Sequence, residues 1–362
     1  MTLPVHLTSF VGRRAELAAV STLLQGRRLV TLTGVGGSGK TRLAARLAAD
    51  QAERWPDGVW WVELEAVTDP AQVAEVAAAT AGVLVEPVQG PLRSLTAQLG
   101  DRRALVCLDN CEQVLEGAAE VAQALLRSGA QATVLTTSRE PLGVAGETVW
   151  QMPPLSEDDA LALFLERASL VRPGFTLDAS SEAAVRTMCR RLDGIPLALE
   201  LAAAWLRTLT PRQIAAGLDD RFALLVRSPR GAVPRHQTLE ASIEWSHALL
   251  AELDRAVFRQ LAVFAGGFGL EAARAVAAGG AVARDDVLDA LGRLVDKSLI
   301  VAEERDGEAR YRLLETIRQY AADRLTEAGE AAATRDRHLD WSLALVEGLE
   351  PELQRNLDAW RT

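Results

Sequence analysis

An α/β architecture is what this 362-residue sequence predicts: a parallel sheet covered by helices, followed by a small helical domain and a winged-helix domain. Three observations support it. Apolar or β-branched runs at 29–33, 59–64, 104–109, 132–139 and 149–152 alternate with helical patterns, the mark of a parallel sheet. One joint, Gly34-Val35-Gly36-Gly37-Ser38-Gly39-Lys40-Thr41, fits G-x-x-x-x-G-K-[ST] at every fixed position, between a strand and a helix. After Pro153-Pro154 the alternation stops and the pattern is helical.

Residues 1–27 hold a short lead, Phe10-Val11-Gly12-Arg13, then an amphipathic helix with Leu17, Val20, Leu23 and Leu24 on one face. Gly26 can end that helix. The run Leu29-Val30-Thr31-Leu32-Thr33 reads as a buried strand leading into the glycine-rich loop. Glycines there let successive backbone N–H groups converge on phosphate oxygens, since no Cβ blocks the approach. The helix beginning at Lys40 adds its N-terminal partial charge, Lys40 adds a compact cation, and the Thr41 hydroxyl suits Mg2+. The chain has two lysines, Lys40 and Lys297, among 39 basic residues. Retaining Lys in this loop points to a site too tight for guanidinium. A lead just upstream of such a loop can cover the base of a nucleotide or simply pack a helix, and the residues leave both open.

Val59-Trp60-Trp61-Val62-Glu63-Leu64 is the next strand, and Asp69 caps a helix with Pro70 at its first position. Pro87, Gly90 and Pro91 mark a loop before a helix ending near Gly100. Ala104-Leu105-Val106-Cys107-Leu108-Asp109 is an apolar strand ending in a carboxylate, the Walker B pattern, where Asp109 would hold Mg2+. Asn110 stands where many ATPases carry a second acid. Glu112 is the nearest alternative base, although a first-turn helix acid favoured by the helix dipole is the plainer reading. Ala132–Arg139 is a strand ending in polar residues, and Arg139 at that edge can sense a γ-phosphate. Val149-Trp150-Gln151-Met152 closes the sheet.

Ser156-Glu157-Asp158-Asp159 is a helix-start box leading into Ala160–Leu170. Further helices are expected over 180–192 and, after the break at Gly194-Ile195-Pro196, over Leu197–Leu206, with a shorter one from Thr210. A polar linker at Arg227–Pro234 precedes helices at 237–250, 252–264 and 284–296. Leu299–Glu303, Asp306-Gly307 and Arg310–Leu313 form a hairpin, completing a winged helix. Its candidate recognition helix, 285–294, carries three acids and one arginine, a poor phosphate-facing surface. Two helices over 317–349 follow, and 350–362 end without a closing element. The implied domains are 1–154, 155–232, 233–316 and a helical linker over 317–362.

Composition narrows the class. Net charge is −10, with basic residues spread along the chain, which argues against a general nucleic-acid surface. Cys107, Cys111 and Cys189 make neither a disulfide framework nor a zinc pattern; the first two read as core fillers around Asp109. No signal peptide or membrane-length apolar stretch is present, so a reduced cytoplasmic setting without membrane contact is expected.

With these residues in hand, the chain resembles the STAND signal-transduction ATPases of NB-ARC or AP-ATPase type, nearest to bacterial AfsR- and LuxR-like ATP-binding regulators. The resemblance covers nearly the whole chain. It rests on Phe10–Arg13, the glycine-rich loop, Leu108-Asp109-Asn110-Cys111-Glu112, Thr136-Thr137-Ser138-Arg139, Gly194–Glu200, Trp245-Ser246, Phe264–Phe268 and Leu314–Ala321. It implies that Val11 and Gly12 lie against adenine, that Arg139 is the sensor arginine, and that Pro196 packs on the base. It also implies that the winged helix closes over ADP and that exchange for ATP releases it. Expected nucleotide contacts are Val11, Gly12, Arg13, Gly34, Gly36, Gly37, Ser38, Gly39, Lys40, Thr41, Arg42 and Pro196. Expected catalytic groups are Lys40, Asp109, Glu112 and Arg139, with Thr41 and Asp109 on Mg2+.

Two departures stand out. Many relatives end the wing in Met-His-Asp, with the histidine on the ADP β-phosphate. Leu313-Leu314-Glu315 takes that place here, and Leu314 has no donor. Asn110 in place of an acid implies slow hydrolysis. Relatives also continue into helical repeats and often a DNA-binding helix-turn-helix, neither visible here, so a fragment or a stand-alone core signalling through a partner is implied. The resulting expectation is an ATP/ADP-operated switch with weak ATPase activity, the core of a transcriptional regulator. It would act through a protein partner or self-association, without direct DNA contact. The alternatives are a P-loop enzyme with true turnover and a non-catalytic scaffold that nucleotide only stabilises.

Overall fold

The computed structural model describes residues 3–4, 8–99, 101–129, 131–220, 239–280 and 282–361. The chain divides into two compact units, Met1–Leu239 and Glu240–Thr362.

In the first unit, β1 (Leu29–Thr33), β2 (Val59–Glu63), β3 (Leu105–Asp109), β4 (Thr133–Thr137) and β5 (Thr148–Gln151) form one sheet in the order β2-β3-β4-β1-β5. Every pairing is parallel. Successive residues of a strand face opposite layers, so a strand covered on both sides is apolar throughout. β3 shows this directly. Leu105 and Cys107 join the layer containing α1 (Arg14–Gly26) and α2 (Lys40–Asp50). Val106 and Leu108 join the layer containing α3 (Val73–Thr80), α4 (Gly90–Leu99) and α5 (Leu115–Ser128). Cys107 and Cys111 are buried, as core fillers should be. The Asp69 cap forms, its carboxylate accepting from Ala71 N–H at 3.0 Å, but the first turn, Pro70–Gln72, is a 3-10 turn before α3 begins.

Beyond the sheet come α6 (Glu157–Val171), α7 (Ala179–Arg191), α8 (Pro196–Ala204) and α9 (Pro211–Asp220). Sequence signals for their starts act as expected. Ser156 Oγ accepts from Asp159 N–H at 3.1 Å. Thr210 and Gln213 bond reciprocally, at 3.3 and 2.9 Å. α6 packs on both α7 and α8. The expected linker at Arg227–Pro234 lies outside the described residues.

The second unit contains helices Leu239–Ala248, Glu252–Gln260, Leu270–Ala277 and Asp286–Asp296. β7 (Val301–Arg305) and β8 (Glu308–Arg312) follow, with the two-residue β6 (Phe268–Gly269) completing a sheet in the order β6-β8-β7. Asp306 and Gly307 turn the hairpin with φ of 56° and 79°, as an Asp-Gly loop requires. Helix Leu270–Ala277 and β6 extend the pattern read from sequence. Eight alanine-rich residues behind a pair of strand residues are too short for periodicity to reveal. The two helices expected over 317–349 are Glu315–Glu327 and Ala331–Arg361, so the last one continues into 350–361, the segment in which no closing element was expected.

Candidate functional site

The loop between β1 and α2 folds over the C-terminal edge of the sheet. Gly37 shows why glycine is needed: φ is 78°, and an added Cβ would lie 2.6 Å from Cβ of Leu197. Leu197 N–H donates to the Gly37 carbonyl at 3.2 Å, which seats the start of α8 on the loop.

Lys40 is buried, and its Nζ donates to the carbonyls of Gly34 at 2.7 Å and Val35 at 3.1 Å. Burial pushes its pKa down to about 8; Glu112 pulls it back up, Arg139 lowers it further, and Asp109 raises it. It therefore remains largely charged at neutral pH. Two neutral carbonyls are weak partners for a buried ammonium, and an anion would satisfy it better. Ser38 Oγ, on the same loop, is buried with no hydrogen-bond partner.

Asp109, at the end of β3, accepts at Oδ1 from Thr41 Oγ1 (2.8 Å) and Thr137 Oγ1 (2.5 Å). Burial raises its pKa to about 6, against the lowering effect of those two hydroxyls. A hydroxyl beside a carboxylate suits a hard cation. No group of three or more His, Cys, Asp or Glu side chains that could hold a metal is found among the described residues. A cation here would therefore complete its shell with phosphate oxygens and water.

Next to this pair, Asn110 adopts a left-handed φ of 61° and donates its N–H to Thr137 Oγ1 at 3.0 Å. The chain then turns through Cys111–Gln113, bringing Glu112 to Arg139, which follows β4 by two residues. Arg139 Nε donates to Glu112 Oε1 at 3.1 Å, and each side chain is only 9% exposed. Burial lowers the Arg139 pKa, and Glu112 opposes that shift.

A cleft adjoins the loop. Phe10, Val11, Met152, Leu155, Leu163 and Pro196 give it apolar walls, and Arg42, Arg167 and Glu200 lie at its polar side. The lead is anchored by Arg13. Its guanidinium donates to the carbonyls of Pro153 (2.5 Å) and Ser38 (3.2 Å), and its N–H donates to Asp159 Oδ2 (3.2 Å). Burial holds the Arg13 pKa below the ordinary value. Gly12, with φ 69°, fits because a Cβ there would sit 2.3 Å from Cγ of Asp159. Arg42 Nη2 donates to the carbonyls of Thr8 (2.8 Å) and Ser9 (2.7 Å), and Arg167 Nη2 also reaches Ser9 O (3.2 Å).

The structure thus brings together Gly34, Gly36, Gly37, Ser38, Gly39, Lys40, Thr41, Asp109, Glu112 and Arg139 at one sheet edge. Val11 and Pro196 line the adjoining cleft. Arg13 and Arg42 also line that cleft, and their guanidinium groups donate to the carbonyls of Pro153, Ser38, Thr8 and Ser9. Five contributors were missed. Thr137 and Leu197 stand inside motifs already singled out, and Asp159 stands inside the helix-start box. Glu200 closes the Gly194–Glu200 motif, whereas Arg167, paired with it at 2.9 Å, has no sequence signal because its partner is remote.

Comparison with known proteins agrees with this fold. The Walker-type ATPase of Pyrococcus abyssi has the same fold, with a TM-score of 0.51 at 15% identity, covering 86% of this chain and 95% of that one. Regulatory protein AfsR of Streptomyces coelicolor is 29% identical over 392 residues, covering 96% of this chain and 38% of AfsR. The uncharacterized protein Rv0894 of Mycobacterium tuberculosis is 47% identical over 338 residues, 92% of this chain and 85% of that protein. The chain belongs to the same family as Rv0894, and its fold is that of the P-loop ATPases. "Putative HTH-type transcriptional regulator Rv0890c" of the same mycobacterium is 50% identical over 328 residues. That match covers 90% of this chain, and the chain spans about 37% of that relative's length. A winged helix-turn-helix domain family matches residues 250–326. No helix of the described residues is long and apolar enough to cross a membrane.

Proposed function

We propose that this chain is a nucleotide-operated switch, the ATPase core of a transcriptional regulator, of the NB-ARC type and akin to AfsR- and LuxR-like proteins. The observation that carries the reading is the buried Lys40, held only by loop carbonyls, beside the orphaned Ser38 hydroxyl and the Thr41–Asp109 pair. In this reading the loop N–H groups and Lys40 hold the phosphates of ATP or ADP, and Thr41 and Asp109 hold Mg2+. Phe10, Val11 and Pro196 enclose the base, with Arg13 and Arg42 fixing the lead that supplies two of those walls. Mg2+, when bound, neutralises phosphate charge during cleavage. Asn110 leaves no acid directly after Asp109, so turnover is slow and serves to reset the state. The helical domain reads that state through Leu197 on the loop. The names of Rv0890c and AfsR support the regulatory setting.

A second reading, direct DNA contact by the second unit, is favoured by the winged helix-turn-helix match. Its exposed helix face opposes it. Asp285, Asp289 and Asp296 point to solvent, and Arg293 forks onto Asp254 at 2.7 to 3.0 Å. The switch is tested by limited proteolysis with Mg2+-ADP and with a non-hydrolysable ATP analogue, beside a phosphate-release assay. Distinct cleavage patterns with slow, acceptor-independent release are expected. Identical patterns would remove the switch, and fast release stimulated by an acceptor would make the chain a turnover enzyme.

A further inference from the structure

The Arg139–Glu112 pair carries more than a structural role. Both side chains are 9% exposed, at the sheet edge where Lys40 and Asp109 lie, and both act on the Lys40 charge. Glu112 uses one oxygen on Arg139; the other, Oε2, is buried without a hydrogen-bond partner. A carboxylate half satisfied in a buried place is a poor final state for structure alone. The surroundings are also fixed: the Asn110 N–H and the Asp109 carboxylate are tied to Thr137, two residues before Arg139.

We propose that Glu112 is a competitor for the γ-phosphate: Arg139 exchanges its bond to Glu112 for one to a γ-phosphate oxygen, so the pair sets how strongly the site prefers a nucleoside triphosphate over a diphosphate. This rests on the nucleotide reading above. With a diphosphate bound, no γ-oxygen competes and Arg139 stays on Glu112. With a triphosphate bound, Arg139 contacts the added anion at the cost of leaving Glu112 unpaired. Glu112 acts through Arg139 and is the positioning residue in this scheme, Arg139 touches the γ-phosphate itself, and the ratio of the two affinities is the quantity the pair sets. Because the exchange breaks an ion pair, it makes the site more tolerant of the diphosphate than its cations alone would.

The test is a double-mutant cycle on binding, with fluorescent ADP and a fluorescent non-hydrolysable ATP analogue at equal Mg2+. Glu112→Gln keeps the shape and removes the competing charge. It is expected to raise the preference for the triphosphate about fivefold or more, at the low end of ordinary coupling between sites. Arg139→Gln is expected to lower that preference, and the Glu112→Gln gain should vanish in the double variant. A gain that persists without Arg139 would overturn the proposal, since simple repulsion between Glu112 and the γ-phosphate would explain it. An unchanged preference in Glu112→Gln would also overturn it. Circular dichroism of each variant shows that a loss of binding is not loss of fold, and Arg139→Lys replaces Arg139→Gln if the latter unfolds. If the wild-type protein binds neither nucleotide, or binds equally well with Lys40→Ala, the nucleotide reading fails with it. If binding depends on Lys40 but the cycle shows no coupling, only this inference fails.

Discussion

The two units place their charges in opposite ways. At the sheet edge of the first unit, Lys40, Asp109, Glu112 and Arg139 are all buried or nearly so, and the other three act on the Lys40 charge. On helix Asp286–Asp296 of the second unit, the acids face solvent, and Arg293, half exposed, is forked onto a buried Asp254. The first arrangement costs desolvation energy, which the Glu112–Arg139 pair and the two hydroxyls on Asp109 offset in part. The second is an ordinary stabilising fork with acids left outside. A winged helix by itself is a scaffold, and the chemistry of its exposed face decides whether it meets DNA. The glycine-rich loop is more committed, because its backbone, lysine and hydroxyls converge on one place.

The comparison breaks most easily at Lys40. Removing a charged hydrogen-bond partner costs about 1.5–3 kcal/mol, or roughly 10- to 150-fold in affinity. Lys40→Ala should lose that much affinity for labelled ADP in an anisotropy titration, with unchanged circular dichroism. In the second unit the asymmetry of Arg293 and Asp254 is the sharper probe. Arg293→Ala strands a buried carboxylate and should destabilise by about 1–3 kcal/mol. Asp254→Asn strands only a half-exposed arginine and should cost less. Chemical denaturation that ranks them the other way would show that the fork is not what holds Asp254. A third outcome concerns DNA. In 50 mM salt, a random duplex should bind this chain no tighter than about 0.1 mM, the weak end of non-specific binding. Tight, steeply salt-dependent binding lost on changing Arg310 and Arg312 would assign the wing to DNA.

The smallest expected effect is a pH dependence in the second unit. His247 sits against the rings of Phe258 and Tyr320, with centroids 5.8 and 5.4 Å away. Burial first, then Arg255 and Arg324, lower its pKa below 6.5. The unfolded chain thus takes up the proton at higher pH than the folded one, so stability falls as pH drops through the unfolded value toward the folded one. Melting temperatures from pH 7.5 to 5.5 should fall less in His247→Leu than in the wild type.

Much of the site was legible because local chemistry writes it locally. The glycine-rich loop, Asp109 after four apolar residues, and Thr136-Thr137-Ser138-Arg139 each sit on contiguous residues with a required strand context. The Asp306-Gly307 turn was legible for the same reason. What the sequence could not show is which distant partners each group meets. Arg13 and Arg42 read as ligand contacts from their neighbours, whereas their guanidinium groups bond the carbonyls of Pro153, Ser38, Thr8 and Ser9. Asp159 read as a helix-start residue and also closes on Gly12 and Arg13 across 146 positions. Helix Leu270–Ala277 escaped because two turns of alanine-rich chain carry almost no periodic signal.

The most direct measurement is to purify the chain, denature it, and identify any released nucleotide by chromatography, with Lys40→Ala handled identically. Wild-type protein should release an adenine nucleotide at close to one per chain, and Lys40→Ala should release almost none. A wild-type chain that releases none, and that binds added Mg2+-ATP no better than Lys40→Ala, would contradict the account.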